Sequence, residues 1–168
     1  MHFRFSVYNI FDLNPNADKA IILEDDILLS PDFILYFHQT AWLLDVDPSI
    51  YCINAFSINS IATIASDPGR MKRTKTFPQY GWLINRKSKS SYFFFPFFKQ
   101  YSTADWDWWL GLYSVKGDRY TLTPEVSRSF HAGFAGAHVT GWEQSFHFDN
   151  MIFNQDPNAK LAGLDMYV

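Results

Sequence analysis

An apolar run that stops abruptly at three carboxylates constrains this chain more than any other feature: Ala20-Ile21-Ile22-Leu23 leads directly into Glu24-Asp25-Asp26. A short apolar run of this kind reads as a buried strand. In open α/β sheets ligands bind at the carboxyl ends of strands, and adjacent acids repel one another unless a divalent cation or a proton neutralises part of their charge. A phosphate-bearing substrate is then a natural partner for the cation. Taken alone, the triplet reads first as a solvated acidic turn; the residues after it favour a site. Ser30-Pro31-Asp32-Phe33 reads as a helix start, with serine at the N-cap, proline at the first helical position and an acid favoured by the helix dipole. Phe33, Ile34, Phe37, Ala41 and Leu44 recur at helical spacing, placing one apolar stripe against a sheet, and Asp45-Val46-Asp47-Pro48-Ser49 ends the helix. Ile50-Tyr51-Cys52-Ile53-Asn54-Ala55-Phe56 is a second strand. Strand, acids, helix, strand predicts the right-handed crossover of a parallel α/β sheet.

At 168 residues, with 48% apolar residues, the chain has one domain's worth of core. A net charge of −3 gives no basic excess to attract nucleic acid. No apolar run approaches the roughly 18 residues needed to span a bilayer, and the start, Met1-His2-Phe3-Arg4-Phe5, carries no cleavable signal pattern but opens into an aromatic-rich amphipathic stretch. Cys52 is the single cysteine, so no internal disulfide forms. His38, His131, His138 and His147 make no zinc spacing with Cys52 or with each other, and each reads as a satisfied or exposed histidine.

Aromatic residues make up 19% of the chain, too many to ignore where they interleave with acids, above all in Asp105-Trp106-Asp107-Trp108-Trp109. An amphipathic helix end with inward tryptophans explains the pentad. So does a sugar site, because sugar C–H faces stack on indoles while hydroxyls need acceptors, and a carboxylate desolvated by indole becomes a better base. Asp67-Pro68-Gly69-Arg70 and Ser88-Lys89-Ser90-Ser91 read as exposed loops, and Pro78-Gln79-Tyr80-Gly81-Trp82-Leu83-Ile84 as a turn entering a strand. Phe93-Phe94-Phe95-Pro96-Phe97-Phe98 cannot be a regular central strand. Arg119 to Glu125 is a strand running into Val126-Ser127-Arg128-Ser129-Phe130-His131, polar enough to line a site.

Five pieces in one order resemble the β-1,2-N-acetylglucosaminyltransferases that modify mannose, glycosyltransferase family 13. They are Ile21 to Asp26 followed by Pro31-Asp32-Phe33; Tyr51-Cys52-Ile53-Asn54-Ala55-Phe56; Pro78-Gln79-Tyr80-Gly81-Trp82; Trp106-Asp107; and Pro124-Glu125-Val126-Ser127-Arg128. The resemblance implies a GT-A-like fold, a Rossmann-like mixed sheet flanked by helices and lacking the first strand of the nucleotide-binding half, with residues 1–168 as the C-terminal two thirds of a catalytic domain. It implies Mn²⁺ held by Asp26, with Glu24 and Asp25 supporting the metal or contacting the ribose, and a UDP-GlcNAc donor. Asp107, beside Trp106, takes the general-base role, drawing the proton from the 2-hydroxyl of an α-linked mannose on a glycoprotein acceptor, with inversion. Ser127 falls near the donor and His2 at the place of a uracil-contacting histidine. The parent enzymes are Golgi proteins facing the lumen, anchored by an N-terminal membrane helix.

The chain departs from the family pattern at several positions. An arginine four residues after the base falls on Gly111, the partner of the family's Cys52-equivalent cysteine falls on Thr121, and a Trp-Asn-Asp element reads Phe56-Ser57-Ile58. Three matters stay open at this level: Asp105 against Asp107 as base, an N-glycan against an O-mannose acceptor, and an active transferase against a truncated relic that acts only in binding. A phosphohydrolase built on Glu24-Asp25-Asp26 lacks a second acidic cluster.

Overall fold

A computed structural model describes residues 2–88, 110–133 and 141–167. Helix α1 (His2–Leu13) is followed by strand β1 (Lys19–Ile22), the acidic turn, β2 (Ile27–Leu29), helices α2 (Phe33–Thr40) and α3 (Leu43–Val46), and β3 (Ile50–Asn54). Then come β4 (Met71–Thr74), β5 (Trp82–Asn85), α4 (Tyr113–Lys116), β6 (Tyr120–Pro124), β7 (Ser129–His131) and α5 (Gly141–Phe146).

Five strands form one mixed sheet in the order β1-β5-β3-β6-β4. β3 and β6 pair parallel, while β5 runs antiparallel between β1 and β3, and β4 runs antiparallel to β6. The expected crossover from β1 to β3 therefore exists in direction but not in adjacency: the two strands are parallel, and β5 lies between them. Tyr80 and Gly81 both take positive φ, 50° and 95°, a turn that delivers Trp82 into the gap.

Each face of the sheet carries its own core. Phe11 of α1, Ala20, Tyr51, Cys52, Trp82, Ile84, Leu110 and Val115 pack on one side, and Phe33, Tyr36, Phe37, Leu43, Leu44, Ile50, Ile53, Leu83 and Leu122 on the other. β5 shows the period-two logic, with Trp82 and Ile84 facing one core and Leu83 the other. β3 breaks it. A register shift against β6 between Ile50 and Cys52 puts Tyr51 and Cys52 on the same side, as a bulge does.

The helix after the acids begins two residues later than the Ser-Pro signal predicts and is interrupted after Thr40. Ser30 does not cap it: its hydroxyl donates to Asp32 Oδ1 at 2.7 Å. Asp32 is drawn inward because its other oxygen receives Arg128 Nε at 3.0 Å, with both side chains fully buried. Arg128 Nη1 and Nη2 donate to the carbonyls of Val126 and Pro68, and the guanidinium lies 5.2 Å from the Tyr36 ring centroid. With these donors satisfied, the pair survives a desolvation that would otherwise exceed its Coulomb gain. Ile34, expected on the buried stripe, is exposed, and Tyr36, Thr40 and Leu43 take the inner positions instead.

Asp67-Pro68-Gly69-Arg70 is a turn, as its composition predicts, but a packed one. Glu125 Oε1 accepts from the backbone of Ser66 and Asp67, each at 3.2 Å, and its Oε2 meets Arg70 and Lys72. Gly69 is buried, and a Cβ there would meet Lys160 O at 2.9 Å. Residues 93–98 of the phenylalanine run lie outside the described residues.

Candidate metal and donor site

Because β1, β3 and β6 run the same way, their carboxyl ends share one edge of the sheet, where the chain continues as Leu23-Glu24, Ala55-Phe56-Ser57 and Glu125-Val126-Ser127. Topology alone thus places the acid triplet where open α/β sheets take their ligands.

The triplet is a turn between β1 and β2, and its three acids differ in surroundings. Glu24 Oε1 accepts from the backbone N–H of Tyr80 at 3.2 Å. Asp25 is exposed. Asp26 Oδ2 lies 3.1 Å from His131 Nε2, with the Asp26 side chain 41% exposed and that of His131 6%. Strand β2 pairs with β7 in a separate two-stranded ribbon whose register sets Ile27 opposite His131, and the Ala132 N–H donates to Asp26 O at 2.9 Å. The ribbon is therefore what brings a residue from the far end of the sequence onto the acid cluster.

His131 is held on all sides. Its Nδ1 lies 3.1 Å from Gln144 Oε1, and Gln144 Nε2 donates to His131 O at 3.1 Å and to Asp149 Oδ1 at 3.0 Å. Its ring sits 5.1 Å from Tyr80 and 4.6 Å from Phe148. Tyr80 packs against Phe56 and Phe148 in turn, while its carbonyl accepts from Ser129 Oγ. The positive-φ turn thus joins Glu24, His131 and β7 through one residue.

Gly133 completes the cluster by what it lacks. A Cβ there would stand 2.6 Å from Asp26 Oδ2 and 3.2 Å from His131 Nε2, so a larger residue at this position would press on both atoms. A carboxylate and an imidazole within 3.1 Å of each other offer one oxygen and one nitrogen donor at this edge. Among the described residues no three His, Cys, Asp or Glu side chains form a closed cage.

Ser127 is buried. Its hydroxyl accepts from the Ser57 N–H at 2.9 Å and donates to Ser57 O at 3.3 Å, and its own N–H donates to Ser60 Oγ. At this edge it shapes the 57–60 loop. His2 is the first residue of α1, and its side chain lies outside what the structure describes. Asp105, Trp106 and Asp107 also lie outside the described residues. Cys52 stands opposite Thr121 in the β3–β6 ladder, its Sγ 3.6 Å from the threonine Oγ1, and burial pushes its thiol up to about 12. Across the same edge a hollow of mixed lining opens between Asn54, Phe56, Ile58, Lys72, Gln79 and Thr123.

His131, read from the sequence as a satisfied or exposed histidine, is buried and bonded to Gln144, while its contact with Asp26 and the packing of Tyr80 and Gly133 around it are not legible in the sequence. His131 stood inside a segment read as polar enough to line a site, but its distance from Asp26 along the chain hid the contact.

The fold is a mixed α/β sheet with an acidic turn at the carboxyl edge of its parallel strands, to which the β2–β7 ribbon brings a buried imidazole. Residues 1–158 match the model of the GNT-I family, and the chain belongs to that family, glycosyltransferase family 13. It is similar to an alpha-1,3-mannosyl-glycoprotein 2-beta-N-acetylglucosaminyltransferase of Arabidopsis thaliana, at 29% identity over 136 residues. The match covers 81% of this chain and 29% of that relative, so the chain spans well under half of the relative's length. Among the described residues no helix is long and apolar enough to cross a membrane.

Proposed function

We propose that this chain is the acid-cluster portion of a GT-A-type enzyme that transfers N-acetylglucosamine from UDP-GlcNAc to the 2-hydroxyl of an α-linked mannose on a glycoprotein. The observation that carries the reading is the position of Asp26, at the carboxyl edge of the sheet and packed close against Gly133, in a chain of the GNT-I family. Asp26 would hold Mn²⁺, which when bound neutralises the diphosphate and eases its departure. Glu24 fixes the acidic turn against the Tyr80 backbone, and exposed Asp25 is free to reach the ribose. Ser127 keeps the Ser57 loop in place at the donor edge, and His2 is assigned to the uracil.

Asp107, beside Trp106, is assigned as the general base. Its carboxylate takes the proton of the mannose 2-hydroxyl as that oxygen attacks the anomeric carbon from the face opposite the leaving UDP, so the sugar inverts. The placing of residues 1–168 in the C-terminal two thirds of a catalytic domain, and the Golgi lumen as its compartment, belong to the same proposal.

The test is transfer of labelled GlcNAc to an α-mannoside by wild type, Asp107→Asn, Asp105→Asn and Asp26→Asn. Asp107→Asn keeps shape but cannot accept a proton, and should lower turnover by roughly 10²-fold or more while donor affinity holds. Asp26→Asn should weaken Mn²⁺-dependent donor binding instead. If Asp105→Asn abolishes turnover while Asp107→Asn keeps it, the base is Asp105.

A further inference from the structure

We propose that Trp142 and Phe146 form an aromatic platform that stacks one sugar ring of the acceptor glycan, away from the reacting mannose. The inference rests on the glycoprotein acceptor named above and adds a contact to it. The two rings stand about one helical turn apart on α5, with centroids 5.0 Å apart and planes 6° from parallel, and each residue is 68% exposed. Single exposed apolar residues are ordinary on a protein surface, whereas two large rings stacked on each other and left in water form a patch that the core does not use. Because the planes are parallel, the pair offers a flat outer face.

The helix beneath the rings is tied to the acidic edge. Gln144, two residues from each ring, is buried, and its amide bonds His131 and Asp149. Asn150 Nδ2 donates to the carbonyls of Ser145 and Phe146 at 3.2 and 2.8 Å and so closes the last turn. With 3.6 residues per turn, positions 142 and 146 share the face opposite Gln144, which sets the platform about 10 Å, one helix diameter, from the His131 contact. A ring stacked there is a neighbour, in the same glycan, of the mannose that reacts at the Asp26 edge. The surroundings favour a sugar over a protein partner. A stable protein interface buries about 800 Å² on each side, and two aromatic side chains supply only about 300–500 Å². The residues beside them, Ser145, Asp149 and Asn150, are polar and exposed. A pyranose lays one apolar C–H face on an aromatic ring and turns its hydroxyls to side chains of that kind.

The test is fluorine NMR of protein grown with 5-fluorotryptophan, the signals of Trp142 and Trp42 being assigned with Trp142→Phe and Trp42→Phe. A branched α-linked mannopentaose titrated to millimolar concentration, with no metal or nucleotide present, should shift the Trp142 signal saturably and leave in place that of Trp42, an exposed tryptophan between α2 and α3. In transfer assays with Mn²⁺ and UDP-GlcNAc, Trp142→Ala should lower the ratio of kcat/KM for mannopentaose to that for methyl α-mannoside by about three- to tenfold, and Trp142→Tyr, which keeps an aromatic face, should restore most of it. A ratio taken on one preparation cancels any loss of folded protein. A Trp142 signal that stays in place, or moves no more than that of Trp42, overturns this inference and leaves the transferase reading standing. A dimer seen by sedimentation and lost in Trp142→Ala would assign the rings to self-association and overturn it as well. If wild type transfers to neither acceptor, the transferase reading fails, and the fluorine titration decides the platform by itself.

Discussion

The five-stranded sheet and the β2–β7 ribbon are built on opposite principles. The sheet is sandwiched between two apolar layers, with all five residues of β3 and all four of β5 buried. The ribbon leaves Leu28 and Leu29 half in solvent and is fixed by directional polar contacts: Asp26 to His131, Ser30 to Asp32, and Asp32 to Arg128. Apolar packing is non-directional and tolerates small changes of shape. A buried charge network does not tolerate the loss of one member. The fold thus places its adaptable interactions in the scaffold and its exacting ones next to the acid cluster.

The contrast breaks first at Asp32. Asp32→Asn strips a fully buried arginine of its counter-charge and should cost about 3–5 kcal/mol in urea unfolding. Ile53→Val in the middle of the sheet should cost about 0.5–1.5 kcal/mol on the same assay. Equal effects would mean that the ribbon is held by packing after all.

Glu125 sharpens the comparison with a pH axis. The Ser66 backbone N–H, then that of Asp67 and the charges of Lys72 and Arg70, hold its carboxyl below the usual glutamate range despite desolvation. A lowered folded-state value gives stability that is present above the unfolded value near 4.5 and lost as pH falls through the folded one. Glu125→Gln should therefore cost about 1–3 kcal/mol at pH 7, and the gap to wild type should close in strongly acidic solution. A gap that persists below the folded value would point to shape rather than charge.

Much of the scaffold is legible in the residues. The strands at Ala20, Ile50, Trp82 and Tyr120, and the helix after Pro31, follow from apolar runs and turn residues, because those signals are local. The insertion of β5 between β1 and β3 is not local; it depends on which edge Trp82 meets, and no spacing encodes that. Asp32 shows the same limit from the other side. Its place at a helix start fits a dipole argument, yet its partner is Arg128, 96 residues away. The acid cluster and the Pro-Glu-Val-Ser-Arg segment were each visible, and only the ribbon register unites them. Asp107 comes from the resemblance alone, since Asp105 and Asp107 share one aromatic context.

Smaller effects test the sheet's interior and its rim. Cys52, buried opposite Thr121 with its thiol pushed up to about 12, should resist iodoacetamide at pH 8 until the protein is unfolded. Rapid labelling of the native protein would show that the β3–β6 core opens. Smallest of all is Lys75→Ala, which removes an exposed contact to Asp118 and should leave the unfolding midpoint unchanged within measurement scatter. A clear shift would mean that the rim contributes to stability as the interior does.

The central claim, that the ribbon's acid end is a metal-dependent nucleotide-sugar site, is tested most directly by calorimetry of UDP-GlcNAc binding with and without Mn²⁺. Wild type should bind only when Mn²⁺ is present, and Asp26→Asn should abolish or strongly weaken that binding, while Asp156→Asn, at an exposed acid outside the ribbon strands, leaves it intact. Binding that proceeds equally well without the metal, or that survives Asp26→Asn unchanged, would contradict the claim.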